Sequence, residues 1–212
     1  MQTDDFIAAL SLDLEPVAPV RARLATAAAG GALASLILMA LWLGFRHDIA
    51  LVFGNRMFWM KALTSSLVAV AGFLALERLA RPAGSPRQGL TMMFWVFAAL
   101  AILGSWQVMI TDADQRQTLM MGQSFRVCPR NILALALPIL AASLWALRGL
   151  GPTRLALTGA VAGLFSGGLA ATVYGLHCPE HTMTFVAIWY SLGMLAPAAL
   201  GAALGPWVLR WR

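Results

Sequence analysis

Charge is scarce in this 212-residue chain: only 11% of residues are Asp, Glu, Lys or Arg, against about 25% in a soluble domain. Apolar residues make up 60% and the mean hydropathy is +0.76, enough for about six membrane spans of roughly 20 residues each. An ordinary water-soluble enzyme is excluded, and so is a soluble domain on one anchor, because nothing is left to build a second core. The apolar runs are continuous and do not alternate, which excludes a β-barrel. No Asp, Glu or His lies in the middle of an apolar run, so the usual marker of an ion or proton path is absent. The three histidines, His47, His177 and His181, fall outside the runs and offer no intramembrane haem pair. Cys-x-x-Cys, Gly-x-Ser-x-Gly and His-Glu-x-x-His are all missing, so the sequence supplies an enzyme with no chemistry.

What remains reads as an all-α polytopic membrane protein with six spans: Leu24–Phe45, Phe58–Leu76, Leu90–Ile110, Ile132–Leu147, Leu155–Leu176 and Met183–Leu204. Three helical hairpins are the simplest topology. Residues 1–22 form a separate leader and residues 23–212 the membrane domain. An even number of spans puts both termini on one side, and nine basic residues on that side against six on the other make it the cytoplasmic one. The net charge of +6 is this loop bias; no basic run carries interleaved aromatics, so no nucleic-acid site is read. Seven of the eight tryptophans lie near span ends, where an amphipathic indole prefers the interface, and Trp189 is expected to pack inside. Lys61 and Glu77 sit near the ends of span two and are expected to snorkel. Gly159, Gly163 and Gly167 in span five, with Gly201 and Gly205 in span six, let helices approach closely. That stripe serves packing of spans five and six or a homodimer, and the first reading is preferred.

The first fifteen residues differ from the rest. Thr3 is a good N-cap, and Asp4 and Asp5 favour a helix N-terminus. Phe6, Ile7, Leu10 and Leu14 recur at helical spacing on one face. Pro16 and Pro19 then break the helix. Interfacial helices usually carry Lys or Arg on the polar face; this one carries Asp4, Asp5, Asp13 and Glu15. A partner-binding helix that docks its stripe on a basic protein is therefore preferred to one lying on lipid.

The two cysteines are the other anomaly. Cys128 precedes Pro129 before span four, and Cys178 precedes Pro179 before span six, both on the predicted outer side. Proline is favoured at the first helical position, so each thiol is expected at a helix N-terminus, where the macrodipole lowers its pKa. Arg126 and Arg130 flank one thiol, His177 and His181 the other. Spacing leaves a structural disulfide and a reactive sensor pair equally open. His177, Glu180 and His181 add candidate ligands for a soft metal, although the spacing is not a standard zinc pattern. No resident cofactor is implied.

Together these residues resemble NrsF-like bacterial anti-sigma factors, six-span inner-membrane proteins that restrain an extracytoplasmic-function (ECF) sigma factor. The resemblance covers the whole chain. It rests on Thr3-Asp4-Asp5-Phe6-Ile7-x-Ala9-Leu10, on Phe58-Trp59-x-Lys61 and on a lone cysteine before span four. Its most specific pieces are Tyr174-Gly-Leu-His-Cys-Pro-Glu180 and Phe185-Val-Ala-Ile-Trp-Tyr-Ser-Leu-Gly-Met194. It implies that the cytoplasmic N-terminus, through Thr3, Asp4, Asp5, Phe6, Ile7, Leu10 and Leu14, holds the sigma factor. It also implies that Cys128 and Cys178, in the periplasm, are needed to respond to heavy-metal or oxidative stress. A leader of about 23 residues is too short for a zinc-binding anti-sigma domain, so inner loops such as Glu77–Gly89 and Arg148–Arg154 must share the grip. The alternatives are a small metal or metabolite transporter, with a water path lined by Thr64, Ser65, Ser66 and Thr172, and a membrane thiol oxidoreductase.

Overall fold

The computed structural model describes Thr3, residues 19–46 and residues 48–210. The leader positions Asp4, Asp5, Phe6, Ile7, Leu10 and Leu14 therefore lie outside the described residues, as does most of the 1–22 segment. Among the described residues the secondary structure is helical, without strands. The order is α1 (Val20–Trp42), α2 (Ile49–Val52), α3 (Arg56–Leu79), α4 (Arg87–Ile110), α5 (Arg116–Met121), α6 (Cys128–Leu147), α7 (Leu155–Tyr174) and α8 (Met183–Phe185). A π-helical turn, Val186–Tyr190, continues α8 into α9 (Ser191–Val208). Six helical stretches are long and apolar enough to cross a membrane: α1, α3, α4, α6, α7 and the composite Met183–Val208. The fold is that of a polytopic membrane protein, as the composition requires.

The span order agrees with the sequence, but three features differ. The fourth span starts at Cys128, not Ile132, so the first cysteine opens the helix instead of preceding it. The sixth contains a π turn, which no periodicity argument foresees. The packing is also not hairpin by hairpin. Helix α1 lies chiefly against α6, its fourth-span neighbour, and only lightly against α3. Helix α7 occupies the centre, flanked by α3, α6 and α9, while α1 and α4 turn broad apolar faces outward. Leu41, Trp95, Ile102 and Trp106 are among these exposed side chains, as expected where lipid is the solvent.

The small-residue stripe explains why α7 is central. A Cβ on Gly159 would strike the carbonyl of Gly201, and one on Gly163 the carbonyl of Pro197. A Cβ on Gly167 would come within 2.8 Å of the Met194 Cα. Backbones of α7 and α9 are thus in direct contact, and the stripe is used within the chain. On the other side of α7, a Cβ on Gly168 would lie 2.7 Å from the Ala69 nitrogen of α3. Helix–helix attraction in a bilayer comes from such close packing, since burial from lipid gains little.

The connections divide between two ends. At one, the loops 43–55, 111–127 and 175–182 interlock: Arg46 N–H donates to the Leu176 carbonyl (3.5 Å), Thr182 Oγ1 to that of Leu119 (3.2 Å) and Trp189 Nε1 to that of Met120 (2.8 Å). Trp189 thus ties its helix to a loop, half-buried. At the other end, Arg23 Nη2 donates to the Arg148 carbonyl (3.0 Å) and Thr153 Oγ1 to that of Pro82 (3.3 Å). We refer to these as the cysteine end and the terminal end.

Replacing Gly163 with Leu forces α7 and α9 apart and is expected to cost about 1–3 kcal/mol or more. Gly30→Leu, where nothing lies within 4 Å of the new Cβ, is expected to be neutral. Thermal unfolding in detergent should show a lowered midpoint for the first variant and none for the second.

Candidate functional site

Cys128 and Cys178 are both free thiols and both fully buried. Cys128 is the first residue of α6; its N–H donates to the Ser124 carbonyl (2.9 Å), closing the turn that leads into the helix. Cys178 lies in the 175–182 loop and its N–H donates to the Tyr174 carbonyl (3.0 Å), so it closes the turn that follows α7 and does not start a helix. The next helix begins only at Met183, capped by the Thr182 hydroxyl, which accepts from the Phe185 N–H (3.3 Å). The expectation that both thiols occupy helix N-termini therefore holds for Cys128 alone. Pro179 fixes its own φ but three further residues precede the helix.

The two side chains are within hydrogen-bonding reach of each other. Cys178 is held below the ordinary thiol range, first by the hydrogen bond from Cys128 and then by the Lys61 cation, both acting against burial, which pushes it up. Lys61 is the residue that sequence reasoning misplaced. Its side chain does not snorkel: it is 2% exposed, and its Nζ donates to the carbonyls of Cys178 (3.1 Å) and Glu180 (3.1 Å). The same nitrogen stands 5.4 Å from the centre of the Tyr190 ring. The Phe58-Trp59-x-Lys61 motif was the one signal that could have pointed to it.

Two aromatic residues close the site. Tyr174 and Tyr190 are buried with ring centres 6.0 Å apart. Tyr190 ends the π turn, and its hydroxyl has no partner of good geometry but faces the Cys178 sulfur. Tyr174 ends α7 and reaches toward Asn131, one turn into α6.

Glu180 fastens the loop that carries Cys178 to the turn that carries Cys128. One carboxylate oxygen accepts from the Gln123 N–H (2.7 Å), the Ser124 N–H (3.0 Å) and the Ser124 hydroxyl (3.0 Å). Gly122 makes this possible with a left-handed φ of 54°, and a side chain there would collide with the carboxylate. Arg46 adds a third hold: its Nη1 donates to the Cys178 carbonyl (3.2 Å) while its guanidinium pairs with Asp48 at 2.6 Å. That pairing keeps the Asp48 carboxyl below its usual range.

The remaining candidates are dispersed. His177 Nδ1 is 3.0 Å from the Gly44 carbonyl, and His181 is exposed beside a cleft of about 610 Å³ lined by Asp114, Thr118 and Glu180. Arg126 covers the Phe125 ring (5.3 Å) and Arg130 is exposed, so neither is the cation at the thiols. Among the described residues, no group of three or more His, Cys, Asp and Glu converges. The site is a dithiol with one buried amine, capable of two-electron oxidation or of two-sulfur ligation of a soft ion. The hydroxyls expected to line a transport path are spent on backbone instead: Thr64 and Ser65 on the Lys61 carbonyl (3.0 and 2.9 Å), Ser66 on that of Leu63 (3.0 Å) and Thr172 on that of Gly168 (2.8 Å).

The sequence profile of the family described as negative regulator of sigma F matches residues 10–211. Two relatives align over the whole of both chains. The anti-sigma-F factor NrsF of Caulobacter vibrioides (strain NA1000 / CB15N) is 49% identical. The probable anti-sigma-F factor NrsF of Azospira oryzae (strain ATCC BAA-33 / DSM 13638 / PS) is 39% identical. No solved structure matches. A six-span helical bundle, a free thiol pair at one end and similarity over the full length converge on one assignment: the chain belongs to the negative regulator of sigma F family.

Proposed function

We propose that this chain is an inner-membrane anti-sigma factor that holds an ECF sigma factor on the cytoplasmic side and releases it when the thiol pair, facing the periplasm, is oxidised or captures a soft metal. The observation that carries the reading is the pair itself. Two free sulfurs lie side by side on different segments, one opening α6 and one in the 175–182 loop. Any bridge between them changes how these segments sit, because a bridge tolerates little separation. The names of both relatives support the sigma-factor half of the proposal.

Either bridge is chemically complete. In oxidation, two thiols give up two protons and two electrons to the oxidant and one disulfide forms. In metal capture, two thiols lose their protons and one soft cation takes both sulfurs. No third ligand is needed for an ion content with two.

The other half of the device is the terminal end. The acidic leader, with Asp4, Asp5, Asp13 and Glu15, suits a basic partner surface, and Phe6, Ile7, Leu10 and Leu14 supply an apolar stripe for a groove. At the terminal end, the loops Glu77–Gly89 and Arg148–Arg154 expose Arg78, Arg81, Arg87, Arg148 and Arg154. These offer complementary charge to acidic parts of the same partner. The excess of basic residues on this side supports a cytoplasmic location for it. The reading is allosteric because the two ends are distinct sites that must share coupled states.

Pull-down of the detergent-solubilised chain should bring the sigma factor with it, and oxidant or a thiol-binding metal should lower the yield. Deleting residues 2–15 is expected to abolish co-purification and to leave the sigma regulon constitutively on; unchanged co-purification would remove the leader from the mechanism. Cys128→Ser and Cys178→Ser are each expected to retain co-purification at rest and to lose the response to oxidant or metal. A full response in both serine variants would end the sensing role of the pair.

A further inference from the structure

We propose that Lys61 is the positioning residue that couples the thiol loop to α3, so that closing the thiol pair is felt at residues 80–86 at the terminal end. This rests on the reading of the thiol pair as the sensing end. Two routes leave that pair. Cys128 belongs to α6, which is followed at once by Arg148, whose carbonyl is held by Arg23. Cys178 belongs to the loop that joins α7 to the sixth span, and the side chain that grips that loop from α3 is Lys61.

The grip has an uncommon form. One Nζ donates to two carbonyls, Cys178 and Glu180, that bracket Pro179, so it takes hold of the loop backbone on both sides of its stiffest residue. The amine is 2% exposed, and a buried polar group that loses its partners is costly. The loop therefore cannot move away without either breaking both bonds or taking Lys61 along.

From Lys61 onward α3 is braced against α7 with no slack. One turn below, Ser65 Oγ stands 3.0 Å from Thr172 Oγ1 of α7, so the two helices touch there. A Cβ on Gly72 would lie 2.8 Å from the Phe165 Cβ, and one on Gly89 of α4 2.7 Å from the Ala75 Cβ. A helix packed this closely moves as a rod, and α3 runs to Leu79, directly into the 80–86 turn. On its far side, Thr153 Oγ1 donates to the Pro82 carbonyl of that turn (3.3 Å). Disulfide formation draws two sulfurs well inside hydrogen-bonding distance. The loop follows, Lys61 follows the loop, and the 80–86 turn lies at the other end of the same rod.

The test is hydrogen exchange on the full chain in nanodiscs, before and after closure by diamide, which accepts the two protons and two electrons of the dithiol. In the wild-type chain, oxidation is expected to change exchange at 80–86. In Lys61→Met, which keeps the volume and removes the donor, the disulfide is expected to form, seen as the same loss of two hydrogens, while the change at 80–86 is lost. Lys61→Arg, which restores a donor, is expected to restore it. Should diamide fail to close Lys61→Met, Hg²⁺ closes the pair and is read in the same way. Lys61→Gln, with a shorter stem and a donor, serves as the second variant if Lys61→Met is not recovered from membranes, and is expected to weaken the change. The proposal is overturned if Lys61→Met shows the wild-type change at 80–86, if Lys61→Gln does so in its place, if Arg does not rescue, or if oxidation of the wild-type chain alters only 148–154. No sigma factor enters this measurement, so its failure is distinguishable from failure of the pull-down.

Discussion

A buried amine with two backbone carbonyls in its grasp is the interaction on which the cysteine end depends. Without Lys61 the 175–182 loop would keep its seam to the 122–124 turn through Glu180 and to the first loop through Arg46, but it would lose its side-chain tie to α3. Two cationic side chains from two other segments, Lys61 and Arg46, converge on the backbone of this one loop, and its own Glu180 reaches out to the 122–124 turn. The loop is thereby shaped as a strap whose position is set from outside itself, and the Cys178 sulfur is carried at the place where the strap crosses the start of α6. The thiol's environment follows from the same arrangement, since the cation that holds the loop also acts on its sulfur.

The bundle beneath is stiff for a different reason. Glycine on both α7 and α9 brings carbonyl against Cα along the length of the pair, and lipid offers no hydrophobic drive to compensate for a looser fit. A rigid centre with its connecting loops knitted at both ends suits the proposed role of a relay. What such a chain can do is relay a local change in spacing from one end to the other.

Much of this was legible in the sequence. Continuous apolar runs with few charges leave six spanning helices as the only solution, and glycine at every fourth position announces close helix contact. The thiol pair was legible as a pair but not in its detail. Cys178 was expected to start a helix because proline follows it, yet no helix begins before the Thr182 cap, and Cys178 instead closes the turn after α7. Arg126 and Arg130 were expected to polarise Cys128 because they are two residues away in sequence. On a helix start those positions point outward, and both are exposed. Lys61 was read as snorkelling because a lysine near a span end normally does; its burial depends on carbonyls 117 and 119 residues further on, which no local pattern encodes. The π turn at Val186–Tyr190 likewise answers to tertiary packing around the thiols, and an apolar run of that composition reads as plain helix.

The central claim is that the chain rests with two separate thiols that are closed from the far side of the membrane. Intact cells treated with a membrane-impermeant oxidant, then denatured and alkylated, measure this directly by the mass of the protein. The account requires two alkyl groups per chain from untreated cells and none from treated cells. Two alkyl groups after treatment, or none before it, would contradict it.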